Sequence, residues 1–281
     1  MNEVPTARGW QARLDLDYAY RGNRTRLVNK RQTGPLTLQR SFYPEGDICH
    51  NYILHPPGGV VGGDSLHINI RAESGAHSVL TTPGATKFYR SRAGCIGRQA
   101  QSISVASEAV VEWLPQHNIF FPGADVALCT TIDIASGGRY VGWEMHCFGL
   151  PSNSETFSHG TVRSKTEVTV DGHLRLVEHL NSIGNETVNA ATGLRGMSVH
   201  GSMIAAPCND TQREALERIL QSQVSDAYPH AIGLTLVDEV LIVRATGNQT
   251  EAMQSLFTQL WTELRTQWLE QSPCLPRIWA T

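Results

Sequence analysis

Two segments in the first third of the chain combine residue types that do chemistry. The run His55-Pro56-Pro57-Gly58-Gly59-Val60-Val61-Gly62-Gly63-Asp64 packs glycines around one carboxylate. A phosphate-cradling loop needs G-x-x-x-x-G-K-[ST]. Here Asp64 follows the last glycine, and a carboxylate repels phosphate. The run reads either as a tight loop between strands, glycine supplying backbone angles that other residues avoid, or as part of a binding surface. Asp64 is a single candidate cation ligand. The second segment, Tyr43 to His50, brings Glu45, Asp47, Cys49 and His50 close together in sequence. Imidazole and thiolate suit nickel or zinc, and carboxylate suits harder cations. Their spacing matches no closed tetrahedral site. In an extended strand Cys49 and His50 face opposite sides, and so do His146 and Cys147. The chemistry expected is weak, transient metal contact.

Other motifs carry less. Lys87-Phe88-Tyr89-Arg90-Ser91-Arg92 mixes aromatic and basic residues and reads as an exposed strand or a protein interface. Glu112-Trp113-Leu114-Pro115-Gln116 reads as an apolar packing corner with one acid. The chain contains no G-x-S-x-G, H-E-x-x-H, Walker A or G-x-G-x-x-G pattern. Its 11 histidines are scattered.

The elements that must position these residues are mostly strands. Leu66, Ile68 and Ile70 alternate with polar residues, as do Val126, Leu128, Ile132 and Ile134, with Thr130 between them. Period two places such side chains on one sheet face. Thr166–Leu180 reads as a hairpin turning at Asp171-Gly172, and Leu234–Ala245 as another turning near Asp238-Glu239. Two helices are expected. One starts with a capping box at Thr211-x-x-Glu214 and continues through Leu216, Ile219, Leu220 and Val224. The other carries the stripe Met253, Leu256, Phe257, Leu260, Trp261, Leu264 and Trp268 and ends at Pro273. The predicted fold class is mainly β: stacked β-sheets in one large domain, residues 11–281, with two helices of the C-terminal half packed on it. Residues 1–10 are expected to be a flexible N-terminus.

Composition narrows the function classes. The chain has 281 residues, a net charge of -3, 41% hydrophobic and only 17% charged residues. That apolar content argues against disorder, and a pI near 6.4 argues against a nucleic-acid partner. Residues 1–140 carry net +3 and the remainder net -6, a mild asymmetry. No run of 18 uncharged apolar residues suggests a membrane span. The first residues lack a basic region followed by an apolar core. The six cysteines are spread without a C-x-x-C pair, as reduced thiols would be. The expected location is the cytoplasm.

Several segments together resemble the UreD (UreH) family of urease accessory proteins. They are Gly34-Pro35-Leu36, Phe42-Tyr43-Pro44-Glu45-Gly46-Asp47, the run from His55 to Asp64, Thr81-Thr82-Pro83-Gly84-Ala85-Thr86-Lys87-Phe88-Tyr89-Arg90, Glu112-Trp113-Leu114-Pro115-Gln116, and Pro276-Arg277-Ile278-Trp279-Ala280-Thr281. The resemblance is densest from Gly34 to about Gly160. It implies a non-enzymatic scaffold that binds the urease apoprotein, recruits UreF-type and UreG-type (GTPase) partners, and helps deliver nickel. Nickel would be in transit, with no tightly bound cofactor. The family is thought to pass nickel through an internal water-filled channel. On that basis Asp64 and Glu144 are expected as channel-lining acids with Glu178 behind them, and Glu45, Asp47, Cys49 and His50 as weaker candidates. The alternative for Glu144 is pairing with an arginine. Lys87, Phe88, Tyr89 and Arg90 are the candidate partner-binding residues. The chain departs from the family pattern at Gly149-Leu150-Pro151, where an arginine is more common after the glycine; Glu155 and Phe157 still fit. Two other classes stay open from the residues alone: a hydrolase with a fold-assembled site, and a β-rich sugar-binding module. The latter needs an exposed aromatic platform, whereas Trp113, Trp261 and Trp268 sit within apolar motifs.

Overall fold

The computed structural model describes residues 9–222 and 232–280. The fold is mainly β. One sheet has seven strands in the order His173–Ile183, Thr161–Val170, Asp125–Ile134, Gly97–Val105, Ser65–Ala72, Gln11–Arg21, Arg24–Thr33. The second has eleven, with a main path Ile232–Val237, Val240–Gly247, Val199–Ala206, Arg139–Leu150, Val110–Leu114, His77–Thr81, Cys49–Leu54, Thr37–Leu38. Short strands Thr86–Phe88, Asn118–Phe120 and Glu155–Thr156 attach to its side.

From Cys49 to Val170 the chain passes back and forth between the sheets, so the main-path neighbours in this stretch are parallel. Parallel neighbours need a crossover, most often a helix. Here each crossover is a strand of the other sheet, and the two sheets close a core between them.

The sheets differ in what covers them. The seven-stranded sheet buries one face, so its strands alternate: Val126, Leu128, Ile132 and Ile134 are buried, as are Leu66, Ile68 and Ile70. The eleven-stranded sheet is buried on both faces. Val110–Leu114 is buried at every position and Arg139–Leu150 along most of its length, the continuous pattern a two-sided strand requires.

Two helices, α2 (Asp210–Ser222) and α3 (Thr250–Leu269), cover the outer face of that sheet. The short α1 (Gly184–Asn189) packs instead on His173–Ile183 of the seven-stranded sheet, with Val188 in the inter-sheet core. The expected stripe of α3 is buried from Met253 through Leu264, and Trp268 is partly buried against the same cluster. Trp143 meets Phe257 and Trp261 at ring distances of 6.0 and 6.4 Å. Gly201 permits this approach, because a Cβ there would lie 2.8 Å from the Phe257 ring.

Three local expectations shift. Helix α3 ends at Glu270, whose φ of 53° is left-handed and whose N–H reaches the Thr266 carbonyl at 2.8 Å; Pro273 lies beyond the end. Helix α2 starts at Asp210, so its cap is Asn209, two residues before the expected Thr211. Asn209 Oδ1 accepts the Thr211 N–H at 2.8 Å, and Gln212 Oε1 accepts the Asn209 N–H at 3.0 Å, a capping box with asparagine as cap. Val224 lies outside the described residues. Helix α1 was not expected, since six residues cannot show a helical period. Both hairpins form, and Asp171 and Gly172 have φ of 49° and 74°. The flexible terminus concerned residues 1–10, of which 1–8 lie outside the described residues; the Trp10 N–H is held by Asp64 Oδ1 at 2.7 Å.

Candidate functional site

Alternating strands bury apolar side chains inward, so an inward polar residue marks a position where packing has been given up. Such positions line up across both sheets. On the seven-stranded sheet the register sets Gln101, Thr130, Thr166 and Glu178 side by side across four strands. On the facing sheet Glu144, Ser202 and Arg244 form a row, and His146, His200 and Thr246 the next. The rows are joined: Thr130 Oγ1 donates to Glu144, Ser202 Oγ donates to Glu178 Oε2 at 2.8 Å, and Arg244 pairs with Glu178.

Three cavities follow these rows. One of about 340 Å³ is lined by Gln99, Gln101, Thr86, Asn118, Trp113 and Glu144, among others. A waist of about 30 Å³ shares Trp113 and Glu144 with it and adds Thr130, His146, Glu178, His200 and Ser202. A third, of about 530 Å³, shares Leu180 and His200 with the waist and adds His179, Arg195 and Arg244. Among the described residues, Gln101 Oε1, Trp113 Nε1 and His200 Nδ1 are buried without a hydrogen-bond partner. Each lines one of these cavities, and orphaned buried polar atoms in a roomy polar site call for water.

Electrostatics keeps the waist anionic on one side and neutral on the other. Burial pushes the Glu144 carboxyl upward, but its hydrogen bond and charge interaction with His146, the Thr130 hydroxyl and His200 outweigh this, and the net shift is downward. Glu144 is therefore a carboxylate at neutral pH. His146 Nε2 lies 3.6 Å from Glu144 Oε2. Asn118 Nδ2 lies 3.4 Å from His146 Nδ1. Burial, then repulsion from His146 and Arg244, pulls His200 down to about 3. Its imidazole is therefore neutral at pH 7.

The expected residues fall into separate places. Glu144 and Glu178 share the waist, and the ring beside Glu144 is His146; the expected alternative of an arginine partner for Glu144 is not what the structure shows, since the arginine pairs with Glu178. Asp64 is not in this row. It is 2% exposed, and its two oxygens accept the N–H groups of Trp10 and Val61 at 2.7 and 2.9 Å, anchoring the Gly-rich loop. Cys49 turns toward Tyr18 and Asn51 in the inter-sheet core. His50 faces the opposite way, Nε2 lying 2.8 Å from Glu45 Oε1. Asp47 is exposed. Phe88, expected at a partner surface, is 1% exposed and packs on Phe120, because it is the inward residue of Thr86–Phe88; Lys87, Tyr89 and Arg90 are exposed.

Glu45, His50 and Glu112 belong to a buried ion network under α3. Arg265 donates to Glu112 Oε1 and Oε2 at 2.7 and 2.9 Å and to Glu45 Oε2 at 2.6 Å. Trp261 Nε1 reaches Glu112 Oε2 at 2.5 Å, and His77 also contacts Glu112. Burial pushes the Glu112 carboxyl upward; Arg265, His77 and Trp261 reverse this to a net downward shift.

Among the described residues no three His, Cys, Asp or Glu side chains converge as a metal-holding group. The comparison with known proteins then decides the family. The UreD urease accessory protein family matches residues 11–280. The chain belongs to this family. Its relatives include the urease accessory protein UreD of Aliivibrio fischeri (strain MJ11), 43% identical over 279 residues and 97% of each chain. That of Escherichia coli is 44% identical over 274 residues, covering 97% of this chain and 98% of its own. That of Klebsiella aerogenes is 40% identical over 277 residues, covering 99% of each. Membership implies a role in urease maturation. Among the described residues no helix is long and apolar enough to cross a membrane.

Proposed function

We propose that this UreD family member is a cytoplasmic maturation scaffold that holds apo-urease with UreF-type and UreG-type partners and passes nickel between its two sheets. It performs no catalysis of its own and engages neither nucleic acid nor membrane. The observation that carries the reading is the waist between the larger cavities, lined by Glu144, Glu178, His146 and His200. At about 30 Å³ it is much the smallest of the three cavities. A hydrated divalent cation crossing it exchanges waters for side-chain oxygens and imidazole nitrogens, and imidazole is the donor that suits nickel. Conduction needs sites that bind firmly enough to admit an ion and weakly enough to release it. A ladder of single donors along two rows has that character, whereas three or four converging ligands would store the ion.

The test is co-expression of the tagged full chain with the urease genes, reading urease nickel content, urease activity and partner retention. Ser202→Leu fills the waist and Glu144→Gln removes its carboxylate charge. Combined, they are expected to lower urease nickel content at least about tenfold while partners remain on the chain. Full nickel loading by the double variant refutes the passage; loss of all retention by the wild-type chain refutes the scaffold.

A further inference from the structure

The Gly-rich run is not consumed by the passage. A Cβ on Gly59 would lie 2.3 Å from the Tyr89 ring, one on Gly62 2.5 Å from the Cys95 carbonyl oxygen, and one on Gly9 2.3 Å from the Gly63 carbonyl carbon. Gly123, at φ +85°, would bring a Cβ within 2.8 Å of Arg90 Cγ. These glycines let residues 89–95 lie directly on the loop 58–63, pinned by Val60 N–H to the Lys87 carbonyl at 2.7 Å and Tyr89 N–H to the Val60 carbonyl at 2.9 Å. What they build is a surface concavity of about 710 Å³ that includes Trp10, Val61, Arg90 and Arg92.

Trp10 is 60% exposed and Val61 45%. Among the described residues neither Arg90 nor Arg92 has an ion-pair or side-chain hydrogen-bond partner. Asp64 also lines the concavity, but its oxygens are turned onto the Trp10 and Val61 amides. Two unpaired guanidiniums beside an exposed indole are the residue types that dominate binding energy at protein interfaces. The guanidinium fork matches carboxylate geometry.

We propose that this concavity docks an acidic segment of a partner protein, carboxylates on Arg90 and Arg92 and an apolar side chain against Trp10 and Val61. The proposal deepens the scaffold reading and rests on it.

The test titrates the full chain into a fluorescein-labelled peptide of sequence Asp-Asp-Phe-Glu-Glu, read by anisotropy. Arg90→Glu with Arg92→Glu is expected to weaken binding at least about tenfold, and Trp10→Ala to weaken it several-fold. Raising salt from about 50 to about 500 mM is expected to weaken the wild type but not the charge-reversed variant, whose repulsion of the peptide salt relieves. Glu144→Gln binds as wild type does. Both arginines are exposed, so circular dichroism of the variant should match wild type. Equal peptide affinity of wild type and variant overturns the site. Wild-type self-association that the variant loses also overturns it, by making a second copy the occupant. The peptide arm contains no urease component, so its failure is distinct from failure of the scaffold reading.

Discussion

Replacing Arg265 with methionine tests whether the buried ion network holds α3 on the sheet. Arg265, Glu112 and Glu45 have side chains only 1, 0 and 3% exposed. Without the guanidinium, Glu112 keeps only Trp261 and His77, and Glu45 keeps only His50 among the side-chain partners described. Removing one partner of a buried pair costs roughly 3–5 kcal/mol, because the other charge stays desolvated. The remaining contacts with Trp261 and the two histidines offset part of this, which sets the expectation near the lower end, about 3 kcal/mol. At roughly 2–4 °C per kcal/mol for a domain of this size, Tm falls by about 6–12 °C. Urea unfolding followed by tryptophan fluorescence reads the same loss directly, since Trp261 and Trp143 lie beside the network. The pH dependence has a definite sign. Glu112 is held below its ordinary value of 4.5, so its contribution is complete above that value and disappears as pH falls through the folded-state value. Wild type should therefore lose stability more steeply than Arg265→Met on acidification. Adding Glu112→Gln and Glu45→Gln to Arg265→Met should recover most of the loss, because neutral groups no longer carry an uncompensated charge. A single-variant loss below about 1 kcal/mol would refute the reasoning.

Two further perturbations separate the loop from the passage. Asp64→Ala strips acceptors from two backbone N–H groups; hydrogen exchange at Trp10 and Val61 should speed up, stability should fall by about 1–3 kcal/mol, and urease nickel loading should stay near wild type. Gly62→Ala places a methyl 2.5 Å from the Cys95 carbonyl oxygen; displacement of residues 89–95 should cost about 1–3 kcal/mol and weaken the acidic peptide without emptying urease of nickel.

Much of the secondary structure follows from local chemistry. Asp171-Gly172 permits two successive positive φ angles, and that settles the hairpin before any tertiary contact exists. The apolar spacing from Met253 to Leu264 specifies a helix and its buried face in the same way. Strands of the seven-stranded sheet were legible because one face meets water, so their pattern alternates. Strands buried on both faces, such as Val110–Leu114, show only a short apolar run, which periodicity cannot distinguish from buried helix. The site carried a weaker signal that was present all the same: Thr130 interrupts Val126, Leu128, Ile132 and Ile134 at an inward position, and Arg265 sits four residues after Trp261 on the helix face that packs inward.

The sequence by itself determined the alternating strands, the hairpin turns, the stripe of α3, the mainly β class and, through its matching segments, the family. Only the tertiary structure decided which polar residues meet. Glu144 and Glu178 are 34 positions apart, yet strand register and the facing of two sheets bring them to one waist with His146 and His200. The same register sends Asp64 to a surface loop and Glu45 with His50 beneath α3. Side-chain alternation is local, but the partner across a sheet or a core is set by pairing between distant strands, and no local pattern encodes that pairing.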